Sequence, residues 1–328
     1  MQVVVVSGPA AEYAVTPVEE ALKRQGHAVT LYPNLAAFRT AKDPLASADL
    51  LYGSGLVLDA RLLEPAPRLR AVVSPWIGTE AFDIPALSVR GILLANGQVP
   101  ENYLSMAEAT IMLILASLHN LPEKIEALRA NRAPPPRQKA RMLRGKTLGM
   151  IGFGNMARAI AARLAPWEVR MLAYAPRLKS PLPPCVERVP LEELLRASDI
   201  VCVLATLNAE TRGMIDLEKL RLMKPEAILI NTARGGIVDE RALVAIAKEG
   251  RLHKIALDVF ETEPLPADSP LRSIPNAILT PHCVGHAREG ADAIAQTAVE
   301  NVTRVLEGRA PLYVVNAEIL PAWLKRWA

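Results

Sequence analysis

The sequence predicts an α/β protein made of two doubly wound parallel-sheet domains, on three observations. Short apolar, β-prone runs alternate with helical segments through the first hundred residues. A second alternation of the same kind follows a proline-rich connector, and a glycine-rich turn joins its first strand to a helix. At 328 residues the chain is long for one core, and a hydrophobic share of 51% is enough to bury two.

In the first series, strands are expected at residues 3–6, 28–32, 50–52, 69–74 and 92–95. Residues 18–25 have helical spacing and stop at Gly26, a suitable C-terminal cap. Residues 101–118 read as a long helix that is small or apolar nearly all round from Met106 onward, the pattern of a buried or interface helix. In the second series, strands are expected at 147–151, 169–174, 199–204, 228–231, 255–259 and 277–280. Helical segments such as 191–197 and 240–249 separate them, and residues 287–307 form one more amphipathic helix. Runs this short and this apolar suit parallel strands buried on both faces.

Bulk properties bound the class. The strongly apolar stretch 109–118 is too short for a bilayer, so no membrane partner is expected. The N-terminal Met1-Gln-Val-Val-Val-Val6 reads as a strand without a basic leader, and three widely spaced cysteines (Cys185, Cys202, Cys283) suit a reducing compartment. A cytoplasmic protein is the expectation. Formal net charge is +4, with seven basic residues gathered in 129–146. That segment has the charge of a nucleic-acid patch, but it lacks interleaved aromatics and holds Pro134-Pro135-Pro136. It reads as a solvated connector, and no nucleic-acid partner is expected.

Gly152-Phe-Gly154-Asn155-Met156-Ala157 follows the strand at 147–151 and opens an apolar helix. In that context the turn is a dinucleotide fingerprint. Gly152 permits the tight turn, and Gly154 lets the backbone approach a pyrophosphate lying at the helix N-terminus beside Asn155 and Met156. Where an Asp or Glu would bond a ribose 2′-hydroxyl, this chain has Ala175, with Arg177 two residues on. A charge-assisted contact of about 1.5–3 kcal/mol would favour a 2′-phosphate roughly ten- to a hundred-fold. NADP(H) is therefore expected over NAD(H).

Arg234, Glu263 and His282 each stand just past an apolar run, at the sheet edge where ligands bind in open parallel sheets. Reduction of a 2-keto acid needs a cation for the carboxylate and carbonyl, an acid for the developing alkoxide, and a group that keeps the acid charged. Arg234 supplies the rigid fork. His282 titrates near neutrality, at about 6.5 when unperturbed. A carboxylate such as Glu263 raises and orients it. His282, Cys283 and His286 also suggest a metal, but zinc needs three or four ligands on a suitable scaffold and Gly285 argues against a helix here, so none is expected. Cys283 reads as packing, and His286 as either bordering the pocket or lying on the surface.

Five segments stand in order along the chain: Leu143-Arg-Gly-Lys-Thr-Leu-Gly-Met-Ile-Gly-Phe-Gly154, Glu210-Thr-Arg-Gly213, Asn231-Thr-Ala-Arg-Gly-Gly-Ile-Val-Asp239, Leu257-Asp-Val-Phe-Glu-Thr-Glu-Pro264 and Thr280-Pro-His282. Together they closely resemble the D-isomer-specific 2-hydroxyacid dehydrogenases. The resemblance implies that a Rossmann cofactor domain (99–285) is inserted into a flavodoxin-like substrate domain (1–98 plus 286–328). It implies that Arg234 binds substrate, that Glu263 pairs with His282 and that His282 is the acid and base. It puts Asp258 near the nicotinamide carboxamide and Ala233 beside the cofactor, with Thr206 where a proline is common. It also implies a homodimer built on helices around 101–130. The family's carboxylate loop corresponds to Ser74-Pro-Trp-Ile-Gly-Thr79, where the backbone around Ile77 and Gly78 would hold the carboxylate and Trp76 would shape the pocket. The expected activity is reduction of a small 2-keto acid such as glyoxylate or hydroxypyruvate. The alternatives are a phosphoglycerate-type dehydrogenase using NAD, or a non-catalytic dinucleotide sensor of the same fold.

Overall fold

The computed structural model describes residues 1–8, 11–53, 56, 58 and 60–327. The chain divides into two compact units, one formed by Met1–Asn102 with Ala287–Ala328 and the other by Tyr103–His286.

In the first unit the strands are β1 (Gln2–Val6), β2 (Ala28–Tyr32), β3 (Leu50–Gly53), β4 (Ala71–Val73) and β5 (Leu93–Ala95). All pair in parallel, in the order β2-β1-β3-β4-β5 of flavodoxin-like sheets. Alternate side chains of β1 serve two cores. Val3 and Val5 pack with the helices Glu12–Arg24 and Arg288–Leu306, whereas Val4 and Val6 pack with Phe38, Leu45 and Leu87 on the other face. That two-sided burial is why β1 reads as an unbroken run of valine. The expected strand at 69–74 shortens to Ala71–Val73 because the Leu69 N–H closes a turn onto Ala66 O.

The first helix begins at Glu12, earlier than the expected 18, and carries Pro17 inside it. Its stripe of Ala14, Val15, Val18, Ala21 and Leu22 is buried, so packing overrides the proline. It stops as expected: Gly26 has φ +75°, and the N–H of His27 bonds Leu22 O at 3.0 Å. Beyond the helix Arg288–Leu306 lies a further one, Leu320–Trp327. Its Trp323 is buried and donates its indole N–H to Arg70 O at 2.8 Å.

The second unit holds seven parallel strands: β6 (Thr147–Ile151), β7 (Arg170–Tyr174), β8 (Val186–Arg188), β9 (Ile200–Val203), β10 (Ile228–Asn231), β11 (Lys254–Leu257) and β12 (Ala277–Leu279). Their order is β12-β11-β10-β9-β6-β7-β8, the Rossmann arrangement extended by one strand. The strand missing from the sequence reading is β8, an edge strand with one buried residue and no apolar run to betray it. The order reverses at β6, whose neighbours are β7 and β9, so the glycine-rich turn after β6 opens at the switch point.

Three of the seven basic residues in the segment 129–146 are paired with carboxylates. Arg132 pairs with Glu126 at 3.2 Å, Arg144 with Glu168 at 2.9 Å, and Arg141 with Glu226. Among the described residues, no single helix is long and apolar enough to cross a membrane.

Candidate active site

At the switch point Gly152 adopts φ +96°, and a Cβ there would lie 2.7 Å from the Ala205 backbone, so only glycine fits. A Cβ at Gly154 would meet nothing within 4 Å. The helix Asn155–Leu164 starts immediately after it without a side-chain cap, while Ala157 is fully buried in the unit's core. A tight turn, open backbone and an uncapped helix N-terminus carrying Asn155 and Met156 fit a dinucleotide pyrophosphate.

Past the end of β7, Ala175 is buried and Arg177 is exposed. Arg177 forms an ion pair with Glu210, which is equally exposed. Nearby, Arg158 donates to Ser180 Oγ at 2.7 Å and lies over the Phe153 ring. Thr206 is in the loop after β9, where its carbonyl accepts from Thr211 Oγ1 at 2.7 Å.

Three consecutive strands deliver the candidate catalytic groups. After β10, the Asn231 side chain bridges the turn, accepting from the N–H of Ala233 at 3.1 Å and donating to Arg234 O at 2.9 Å. Ala233 is buried, and half-buried Arg234 donates through Nη1 to Ala233 O at 2.7 Å. Gly235 then packs against the backbone of Phe260 and Glu261. After β11 comes Asp258, 1% exposed. Its Oδ1 accepts from Thr280 Oγ1 at 2.7 Å and from the N–H groups of Cys283 and Val284 at 3.0 and 3.1 Å. Its Oδ2 is buried with no hydrogen-bond partner among the described residues.

After β12, His282 sits in the left-handed region at φ +53°, held by its N–H on Asp258 O at 2.7 Å. Its Nδ1 lies 2.7 Å from Glu263 Oε2, while Glu263 Oε1 accepts the N–H of Phe260 at 3.0 Å. The hydrogen bond and charge of Glu263 raise the His282 pKa, outweighing burial and the positive charge of Arg234, which lower it. Burial pushes Glu263 up, but the bonds from His282 and Phe260 N–H, with the charges of His282 and Arg234, bring it below the ordinary carboxylate range. Arg234, Glu263 and His282 are thus one electrostatic unit.

Residues 283–286 form a turn, with Gly285 so close to Met106 that a Cβ would lie 2.0 Å from its sulfur. His286 is exposed, and among the described residues no group of three or more His, Cys, Asp or Glu is placed to hold a metal.

In the first unit, the loop after β4 is braced by the segment after β5. Asn96 Nδ2 donates to Ile77 O at 2.9 Å and Gly97 N–H to Trp76 O at 3.2 Å. Trp76 meets Tyr13 edge to face at 6.1 Å, and Gly78 follows Ile77 in the half-buried part of the loop. The braces Asn231 and Gly235 are functional positions beyond those expected from the sequence, and their signal is that both flank Arg234 within Asn231-Thr-Ala-Arg-Gly-Gly.

Comparison with known proteins identifies the family. Residues 111–284 match the family described as D-isomer specific 2-hydroxyacid dehydrogenase, NAD binding domain. The chain is 36% identical over 272 residues to a glyoxylate reductase of Thermofilum pendens, covering 80% of this chain and 79% of the relative. It is 33% identical over 283 residues to a D-3-phosphoglycerate dehydrogenase of Methanocaldococcus jannaschii, covering 85% of this chain but only 54% of that relative. Among solved structures, an NADPH-dependent glyoxylate/hydroxypyruvate reductase of Sinorhizobium meliloti in complex with citrate is similar with a TM-score of 0.83 and 26% identity, covering 96% of this chain and 98% of that one. The chain belongs to the D-isomer-specific 2-hydroxyacid dehydrogenases and is a nicotinamide-dependent oxidoreductase of that family.

Proposed function

We propose that the protein is an NADP(H)-preferring reductase of small 2-keto acids, with glyoxylate or hydroxypyruvate as substrate. The observation that carries the reading is the 2.7 Å contact between His282 Nδ1 and Glu263 Oε2, with the charge of Arg234 acting on both. When bound, the reduced nicotinamide supplies the hydride. Arg234 holds the substrate carboxylate and polarises the carbonyl. With Nδ1 on Glu263, His282 Nε2 gives its proton to the developing alkoxide, and Glu263 stabilises the imidazolium until then. The raised His282 pKa keeps more of the donor form present near neutral pH. In the first unit, the backbone N–H groups of Ile77 and Gly78 are the proposed carboxylate donors, with Trp76 shaping selection among side groups.

Gly152, Gly154, Asn155 and Met156 take the pyrophosphate, while Thr206 and Ala233 line the cofactor. The unpartnered Oδ2 of Asp258 suits the amide donor of a carboxamide. Ala175 and Arg177 support a 2′-phosphate. The Arg177–Glu210 pair is about two-thirds exposed on both sides, and such pairs contribute only about 0–1 kcal/mol. A dianionic phosphate can displace Glu210 from Arg177. A glyoxylate reductase and an NADPH-dependent reductase among the similar proteins favour the same substrate and cofactor.

A homodimer is proposed on the exposed stripe Leu121, Ile125 and Leu128 of the helix Leu121–Arg129, with Met112 and Met142 also exposed. The three free cysteines suit a cytoplasmic location.

The test is NADPH and NADH oxidation measured side by side on glyoxylate, hydroxypyruvate, pyruvate, longer 2-keto acids and 3-phosphohydroxypyruvate. Turnover led by NADPH on the small acids is expected. Preference for 3-phosphohydroxypyruvate with NADH would replace the reading with a phosphoglycerate-type dehydrogenase. Tight cofactor binding without turnover on any acid would replace it with a dinucleotide sensor.

A further inference from the structure

Behind the catalytic groups, the loop after β11 is tied to the helix Glu240–Lys248 by a reciprocal pair. The N–H of Glu240 donates to Glu261 Oε1 at 3.0 Å, and the N–H of Glu261 donates to Glu240 Oε1 at 2.6 Å. Asp239 caps the same helix by accepting from Ala242 N–H at 3.0 Å, so Glu261 satisfies a first-turn donor that the cap leaves over. The Glu261 carboxylate also meets the positive end of the helix dipole.

This pairing acts where the chain turns toward His282. Glu263 stands two residues after Glu261, folds its Oε1 back onto Phe260 N–H and extends Oε2 to His282. On the other side of Glu261, the close approach of Gly235 to Phe260 joins the same loop to the Arg234 turn. The path of residues 260–263 is therefore fixed at two points, one by exclusion of a side chain and one by paired hydrogen bonds. We propose that Glu240 and Glu261 form a clasp that sets the reach of Glu263 to His282, and that both are positioning residues for the proton transfer. The proposal rests on the reading of His282 as the acid.

The charges around the clasp agree with a joint required by geometry. Glu240 faces Glu261 and Glu263; Glu263 faces His282 and Arg234; His282 faces Glu263, Arg234 and Asp258. Burial holds Glu240 above the usual carboxylate range. The Glu261 N–H lowers it, and the charges of Glu261 and Glu263 raise it. Three carboxylates converge at an electrostatic cost, and such arrangements collect around functional sites.

The experiment follows kcat and kcat/KM for keto-acid reduction with NADPH against pH in Glu240→Ala and Glu240→Gln, with His282→Ala and Glu263→Gln as references and NADPH affinity measured by fluorescence. In Glu240→Ala, kcat falls roughly tenfold with NADPH affinity retained, because an acid–base group is mis-set and not removed. Its high-pH limb moves down by about half a unit, as Glu263 is held less firmly on the imidazole. Glu240→Gln restores most of both, since its amide oxygen still accepts from Glu261 N–H. Should the alanine variant be unstable, Glu240→Asp, one methylene short, gives the same comparison.

A Glu240→Ala enzyme with the wild-type limb overturns the clasp. So does a Glu240→Gln limb displaced as far as that of the alanine variant, which would assign the effect to charge and not to the hydrogen bond. Wild-type turnover in His282→Ala would instead overturn the acid assignment itself. An inactive His282→Ala beside an unmoved Glu240→Ala limb removes the clasp alone.

Discussion

Gly235 lies so close to Phe260 that an added Cβ would stand 1.9 Å from the Phe260 carbonyl carbon. Backbone cannot yield as a flexible side chain does, so Gly235→Ala must push the Arg234 turn away from the loop carrying Glu263. The variant is expected to lose about 1–3 kcal/mol of stability, the usual range for overpacking. It should also lose activity beyond what its unfolded fraction explains. Denaturant melts with turnover measured well below the transition check this, and an enzyme as stable and active as wild type would contradict the packing described.

The pH profile should report the His282–Glu263 pair. Glu263 raises the folded-state pKa of His282, and reduction needs the protonated ring, so the rate is lost as pH rises through that raised value. Glu263→Gln removes the charge, which moves the limb to lower pH, and lowers kcat by about 10²-fold or more as the acid is mis-set. Stability follows the same signs. The His282 contribution is full below its ordinary pKa and fades as pH rises through the raised one. The Glu263 contribution is present above its ordinary pKa and fades as pH falls through the depressed one. With side chains 46% and 36% exposed, the effect on stability is small beside that on rate. A limb unmoved in Glu263→Gln would dissociate the pair from catalysis.

Cofactor choice is expected to rest on Arg177 and to be restrained by Glu210. Arg177→Ala should weaken NADPH roughly ten- to a hundred-fold and leave NADH nearly unchanged. Glu210→Gln frees the guanidinium and should tighten NADPH by a few-fold, the scale of one exposed ion pair. Titration of both cofactors against both variants decides it. Unchanged affinities would place the discrimination elsewhere.

The apolar stripe on the helix Leu121–Arg129 gives an assembly prediction. Ile125→Glu with Leu128→Glu puts charge on a face where those residues are 42% and 84% exposed, so the fold should tolerate both. Light scattering should then change from dimer to monomer, since a twofold interface meets each substitution twice. A wild-type protein that is already monomeric would remove the stripe's role.

Much of this was legible in the chain. The strands buried on both faces announced themselves by composition, and Arg234, Glu263 and His282 by their places just past such runs. What was hidden depended on partners distant in sequence. Strand β8 is an edge with one buried residue, and the turn around Pro17 is helical because five side chains are buried beneath it. The partner of Arg177 lies in a different loop, and the hydrogen bonds between residues 240 and 261 exist only after two connections are folded side by side. Local pattern shows what a residue can do, but not what holds it there.

The first unit is assembled from two stretches of chain that the whole second unit separates. Ala298, Val302, Val305 and Trp323, all from the later stretch, complete the core around Val3, Val5 and Tyr52. On the ribosome, therefore, the N-terminal strands are made first and finished last. The second unit has its entire sequence by residue 286 and can fold while the first still waits with an apolar sheet face uncovered. During synthesis, the need for chaperone protection falls on the earlier of the two stretches that build the first unit.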